Sequence, residues 1–173
     1  MIQELIDLRQ SIIEGRTDDA LEIIDDLNQM GRKSLIRNIK SYLVRMLIHL
    51  IKNQVEQRLT NSWAVSIRES VLEIQDLNLM DNQKYYYVKT DELNSLLEQA
   101  FDSALYKASL EVDNGKYKPV QLLKIIDKEE LMGRANQFVN LTYSYSMESL
   151  GDELNRELSQ LPGGEDWNVE NRS

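Results

Sequence analysis

Apolar side chains recur at three- and four-residue steps along most of the chain, the spacing that keeps one face of an α-helix apolar. The longest run lies between Ser34 and Leu59, where Leu35, Ile36, Ile39, Leu43, Met46, Leu47, Leu50, Ile51, Val55 and Leu59 follow that step. Inside it, Tyr42 to Ile51 reads YLVRMLIHLI, broken only by Arg45 and His49. A helix apolar on nearly every side has to be enclosed by others, so the stretch at about 34–59 is predicted as the central helix of a bundle.

The flanking pattern supplies the other helices. The first runs from about Ile2 to Glu14, with Leu5, Leu8, Ile12 and Ile13 inward and Gly15-Arg16 ending it. A second opens at Thr17, where Asp18 and Asp19 suit the positive end of the helix dipole, and carries Leu21, Ile24 and Leu27 as far as Met30. Gly31 is expected to break it, which would make the second helix and the central one antiparallel neighbours. Thr60-Asn61-Ser62 favour a cap before a helix over Trp63 to Leu77. Met80 to Lys89 reads as a loop, because the short run Tyr85-Tyr86-Tyr87-Val88 has no second strand to pair with.

Thr90, followed by Asp91 and Glu92, is expected to cap a helix whose face is Leu93, Leu97, Ala100, Phe101, Ala104, Ala108 and Val112. Asn114-Gly115 ends it, and Pro119 suits the first turn of a short helix through Ile126. Asp127 and Glu130 form a capping-box pattern ahead of Leu131, Ala135, Phe138, Val139 and Thr142. Ser146 is expected to open the last helix, with Met147, Leu150, Leu154, Leu158 and Leu161 as its seam and Pro162-Gly163-Gly164 as its stop. These elements predict an all-α fold: one compact bundle of seven to eight helices at 1–161, then an acidic tail at 162–173 around Trp167.

Length and charge sharpen the picture. A chain of 173 residues fits one domain with a full core. It has no cysteine, so disulfide and thiolate chemistry are excluded, and that composition fits a reducing cytoplasm. The acidic, amphipathic start is unlike a signal peptide, and the ten residues of Tyr42 to Ile51 are about half a membrane span, so no membrane partner is expected. The net charge of -9 argues against broad nucleic-acid binding. That charge is unevenly spread: residues 1–30 carry two basic and eight acidic groups, and residues 31–58 carry seven and one. Arg32, Lys33, Arg37, Lys40, Arg45, Lys52 and Arg58 would make a phosphate-binding stripe only if exposed together; the simpler expectation is neutralisation by the acidic helix before them.

The residues Asp26, Met30-Gly31-Arg32, Leu47-Ile48-His49-Leu50-Ile51-Lys52, Ser62-Trp63 and Ser66-Ile67 also carry a resemblance. Over about residues 14–75 the chain resembles an all-helical bacterial family, common in cyanobacteria, catalogued as domain of unknown function twenty-nine. Tyr86-Tyr87 and the ending Leu161-Pro162-Gly163-Gly164-Glu165-Asp166-Trp167 are similar to the cyanobacterial branch of that family. The resemblance implies a helical bundle and brings no catalytic residue with it.

Candidate chemistry is sparse. His49 is the only histidine, and helix spacing puts Tyr42 and Arg45 on its side of the helix, making these three the best polar site. A di-iron Glu-x-x-His pair is excluded because position 46 is methionine, and a histidine satisfied by a neighbouring helix is the simpler reading. Trp63 reads as packing at the start of its helix. The acidic groups Glu22, Asp25, Asp26 and Glu148, Asp152, Glu153, Glu157 read as solvated faces rather than a magnesium site. No Gly-rich phosphate loop or nucleophile elbow is present. No catalytic residue, metal or cofactor is therefore assigned. The expected function is a non-enzymatic interaction or adaptor protein with an unknown protein partner. A twofold homodimer through the leucine seam of the last helix or the alanine face is left open. The alternatives are a hydrolase or metal-dependent enzyme with its site near His49, and nucleic-acid binding through the basic helix 32–58.

Overall fold

A computed structural model describes residues 2–168 and contains seven α-helices and no strand among them. The helices are α1 (Ile2–Ile13), α2 (Thr17–Glu56), α3 (Asn61–Asn78), α4 (Thr90–Ser109), α5 (Pro119–Ile125), α6 (Lys128–Ser144) and α7 (Leu150–Ser159). Short 3-10 turns follow α4 at Val112–Gly115 and α7 at Glu165–Trp167. The all-α bundle expected from periodicity is present.

One boundary is corrected. Gly31 does not end a helix: α2 continues from Thr17 through Glu56, so the predicted second and central helices are one element and no turn lies between them. A glycine in a helix interior costs about 1 kcal/mol relative to alanine, a penalty that thirty-nine helix-competent neighbours outweigh. Without that reversal, the acidic arm and the basic arm follow one another along a single helix. The predicted side-by-side neutralisation is removed with it. At its other end α2 stops three residues early, at Glu56, where Gln57 turns left-handed at φ 53°.

The chain divides into two compact units, residues 1–37 and 38–173. In the second, the α2 positions Ile39, Leu43, Met46, Leu47 and Ile51 have no solvent exposure, as the apolar run at 42–51 required. Polar side chains of this segment reach five other residues: Arg45 reaches Ser66 in α3, Lys52 reaches Glu111 after α4, Gln54 bonds both backbone groups of Asp127 at the start of α6, and Asn53 donates to the carbonyls of Arg58 and Pro162. The leucine seam of α7 and the alanine face of α4 are buried within the chain, at Leu150, Leu154, Leu158 and Leu161 and at Ala100, Ala104 and Ala108. Neither offers the dimer surface considered for it. The predicted cap at Ser146 is corrected as well: residues 146–149 form a turn and α7 begins at Leu150.

The loop after α3 is held by polar contacts. Asn78, 1 % exposed, accepts from Val88 N at 2.7 Å and donates to Val88 O at 2.9 Å, closing the two hydrogen bonds a strand partner would have made. Tyr143 Oη donates to the same carbonyl, and Tyr86 Oη donates to Thr142 O while its ring meets Tyr143 edge-on at 4.6 Å. Burial pushes the Tyr143 hydroxyl up to about 12, so it stays a donor. Among the described residues one isolated bridge forms, Leu79 with Tyr86.

Residues 162–168 pack beside α7. A Cβ on Gly164 would lie 2.1 Å from Leu158 O, and one on Gly163, at φ 74°, would lie 2.9 Å from Leu59 N. The Pro-Gly-Gly sequence thus serves close backbone approach as well as termination. The rest of the predicted tail, 169–173, lies outside the described residues.

Residues 1–37 make a helical hairpin. Gly15 at φ 72° and the bond from Arg16 N to Ser11 O turn the chain, and Arg16 bridges Glu14 and Asp19. The expected inner face of α1 is corrected here. Ser11 is the buried residue, with Glu4 and Leu8 half-buried, whereas Leu5, Ile12 and Ile13 are exposed. The α1 side facing its partner helix is therefore narrow, and most of the apolar stripe faces elsewhere.

Candidate functional site

The polar strip on α2 is positioned by helix geometry: Tyr42, Arg45, His49 and Lys52 follow at steps of three and four, so they climb one side of the helix. Tyr42 is half-buried and Arg45 exposed, with an Arg45 Nη2 bond of 3.4 Å to the buried Ser66 Oγ. His49 is half-buried, and its Nδ1, itself buried, has no hydrogen-bond partner. The expected satisfied histidine is corrected by that vacancy. Burial, then the adjacent Lys52 charge and to a smaller extent Arg45, push the imidazole down to about 4 against a weaker opposing pull from Glu111. At neutral pH it is an uncharged ring.

Lys52 is 8 % exposed, and its Nζ meets Glu111 Oε2 at 2.6 Å while standing 4.7 Å over the Trp63 ring. Arg58 stands over the same ring at 4.7 Å and pairs with Glu56 at 2.9 Å. Trp63 is itself buried near the start of α3, where Thr60 Oγ1 caps its backbone N–H. The two cations thus clamp the α2–α3 corner, each stacked contact contributing about 0.5–2 kcal/mol depending on desolvation. Trp63 packs as expected. The stripe Arg37, Lys40, Lys52 and Arg58 is not available as a set, because Lys52 is buried in its ion pair. Nucleic-acid binding through helix 32–58 loses a member it required.

Chemistry at His49 would need converging carboxylates. Glu111 is the carboxylate acting on it, and Lys52 already neutralises that group. Among the described residues no group of three or more His, Asp or Glu side chains could hold a metal ion. The acidic sets on α2 and α7 are not gathered into such a group; Glu153 pairs with Arg156, and burial raises the Glu157 carboxyl above its usual range. A cavity of about 190 Å³ opens one turn beyond His49 between α2 and α6, lined by Leu50, Gln54, Gln57, Glu130 and Arg134 among others. Arg134 is held there by Glu130 at 3.6 Å and by Gln160 O at 3.2 Å, leaving an ordinary polar crevice.

The family's sequence pattern matches residues 8–131, well over half of the chain. The chain belongs to the family described as Domain of unknown function DUF29. Comparison with the curated proteins and with the solved structures gives no match. The matched span includes the second half of α1, all of α2 and the Trp63 corner, while α7 and the Pro162-Gly163-Gly164 closure lie beyond it.

Glu111 and Ser66 are the partners that sequence reading missed, because each meets the α2 strip from a distant point of the chain. The larger omission is the hairpin surface. Among the described residues the exposed large apolar side chains of the hairpin are Ile2, Leu5, Ile6, Ile12, Ile13, Leu21, Ile24 and Met30, while Ala20 is its one buried apolar residue. Its signal was in the sequence, since a two-helix segment has too few inner positions for so many apolar residues.

Proposed function

We propose that the chain is a non-enzymatic interaction module that engages a protein partner through its N-terminal helical hairpin, acting in the cytoplasm. The exposed apolar surface of the hairpin carries this reading, because surfaces that leave large apolar groups clustered and polar-rimmed are those that partners cover. The rest of the chain is consistent with a scaffold role: a packed bundle in which the buried Asn53, Gln75 and Asn78 donate to its own backbone carbonyls. No helix among the described residues is long and apolar enough to cross a membrane, so a lipid-spanning role for the apolar residues has no support. In-cell cross-linking from Lys33 and Lys40 tests the proposal. Intermolecular cross-links are expected for the native chain and are expected to vanish in Leu5→Glu/Ile12→Glu/Leu21→Glu, with thermal unfolding of the bundle unchanged. A native chain with no intermolecular cross-link from this region sinks the reading.

One observation favours a second reading, catalysis at His49: an uncharged imidazole with an unpaired, buried nitrogen is a competent base or ligand. It is weaker, since the adjacent acid and base are committed to one another. Zinc titrated into the protein would separate the two, a shift of the His49 ring resonances favouring the second.

A further inference from the structure

The corner where α4 gives way to α5 carries a groove that the bundle does not fill. Helix α4 stops at Ser109, and the chain reverses through left-handed Asp113, Asn114 and Gly115, at φ 46°, 58° and 78°. A Cβ on Gly115 would lie 3.1 Å from Leu110 O, so the reversal is drawn tightly against the end of α4. Pro119 then opens α5. The last turn of α4 and the returning residues 115–119 line an open groove of about 470 Å³. Its apolar surface comes from Tyr106, Leu110, Tyr117 and Pro119, with Tyr106 58 % and Leu110 77 % exposed. Ser109 lies between them with its Oγ committed to Tyr106 O. Charge sits on the same groove. Lys107 and Lys118 line it, and Lys116 Nζ stands 5.3 Å from the centre of the Tyr117 ring. All three lysines are exposed, and none pairs with a carboxylate among the described residues. Residues 102–124 hold a fourth base, Lys124, against Asp102, Glu111 and Asp113, and Lys52 Nζ already holds Glu111 at 2.6 Å. In a chain of net charge -9 this corner is locally basic, and salt confines each charge's reach to about 8 Å, so the local excess decides what approaches.

We propose that this groove docks an extended, acidic segment of a partner protein that presents one large apolar side chain between carboxylates. The tyrosines, Leu110 and Pro119 take the anchor, and the lysines pair with the carboxylates beside it, giving an apolar centre with a charged rim. Two observations narrow the occupant. One turn of α4 lines the groove, about 5.4 Å of helix, which is too short for the successive anchors of a docked helix, whereas an extended segment needs one anchor position. Residues 102–124 contain no arginine, so the planar two-pronged grip that suits phosphate is missing, while lysine meets a carboxylate as a point charge. The groove belongs wholly to the second unit, so this docking and the hairpin's can fail independently.

Selection from a random peptide library displayed on phage, against the full chain, tests this. Recovered peptides are expected to carry Asp or Glu on both sides of a Leu, Phe, Trp or Tyr. A synthetic copy of the recovered sequence should bind in solution, and more weakly as salt rises. Lys107→Glu/Lys118→Glu and Leu110→Asp should each weaken that binding by about tenfold or more. Lys84→Glu, in the loop before the other end of α4, should leave it unchanged, as should Leu5→Glu/Ile12→Glu/Leu21→Glu in the hairpin. The three groove positions are exposed, so thermal unfolding should not move in their variants. A library that returns no acidic consensus overturns the proposal, as does binding that survives charge reversal at Lys107 and Lys118 or is lost equally in Lys84→Glu. So does a groove that takes phosphatidylglycerol vesicles or single-stranded nucleic acid through Leu110 and these lysines in place of the peptide.

Discussion

Residues 1–37 and residues 38–168 are built from the same periodic pattern and treat it in opposite ways. In the bundle, apolar stripes from every helix meet and disappear: Leu43, Leu47, Ile67, Leu97, Phe138 and Leu154 are at most 1 % exposed. In the hairpin, stripes of similar quality stay at the surface, and Ser11 and Ala20 are the residues buried among those described. The difference lies in how many neighbours each helix has. A helix inside a bundle offers its stripe to two or three others, whereas one in a two-helix unit can cover about a third of its circumference. An apolar pattern therefore specifies that a helix wants covering; what covers it is a matter of tertiary or quaternary structure.

The sharpest way to break this comparison is a matched pair of truncations. Leu47→Ala, at a position with no exposure, is expected to cost about 2–5 kcal/mol in urea denaturation, and Leu21→Ala under about 0.5 kcal/mol at submicromolar protein. Equal costs at both positions would erase the distinction between the units. Next in size is Asn78→Ala, which strips the Val88 backbone of its paired bonds and should cost about 1–3 kcal/mol. Its effect belongs to the bundle alone, so the oligomeric state should not change.

The pH response of the bundle follows from His49. Its folded value of about 4 lies below the ordinary 6.5, so the unfolded chain takes up a proton that the folded chain refuses. The stability it contributes is complete above pH 6.5 and is lost progressively as pH falls toward 4. Chemical denaturation at pH 7 and pH 4.5 should show this loss, and His49→Leu should reduce it; an unchanged pH profile in that variant would show the ring titrating normally. The smallest effect sharpens the hairpin side. A Cβ at Gly31 meets no atom within 4 Å, so Gly31→Ala should stabilise α2 by about 0.5–1 kcal/mol. A loss at that position would restore the turn that sequence reading expected there.

Much of the fold was legible because it is local. Periodicity, caps and breakers are properties of neighbouring residues, and they located the Asp127 cap, the helix opening at Pro119, the enclosed run at 42–51 and the buried seam at Leu150, Leu154, Leu158 and Leu161. What went unread is what distance in the chain hides. Gly31 looks the same in a turn and inside a helix, and its helix-competent neighbours on both sides carry α2 through it. His49, Tyr42 and Arg45 could be placed on one side of a helix, but that Lys52 is taken by Glu111 and the imidazole nitrogen left unpaired depends on which loop packs there. The charge contrast between residues 1–30 and 31–58 was plain in the sequence; that the acidic and basic arms share one continuous helix was decided by the tertiary structure. Local preferences cost or gain about 1 kcal/mol per residue, whereas enclosure of a whole helix face contributes several times that, so packing overrules them where the two disagree.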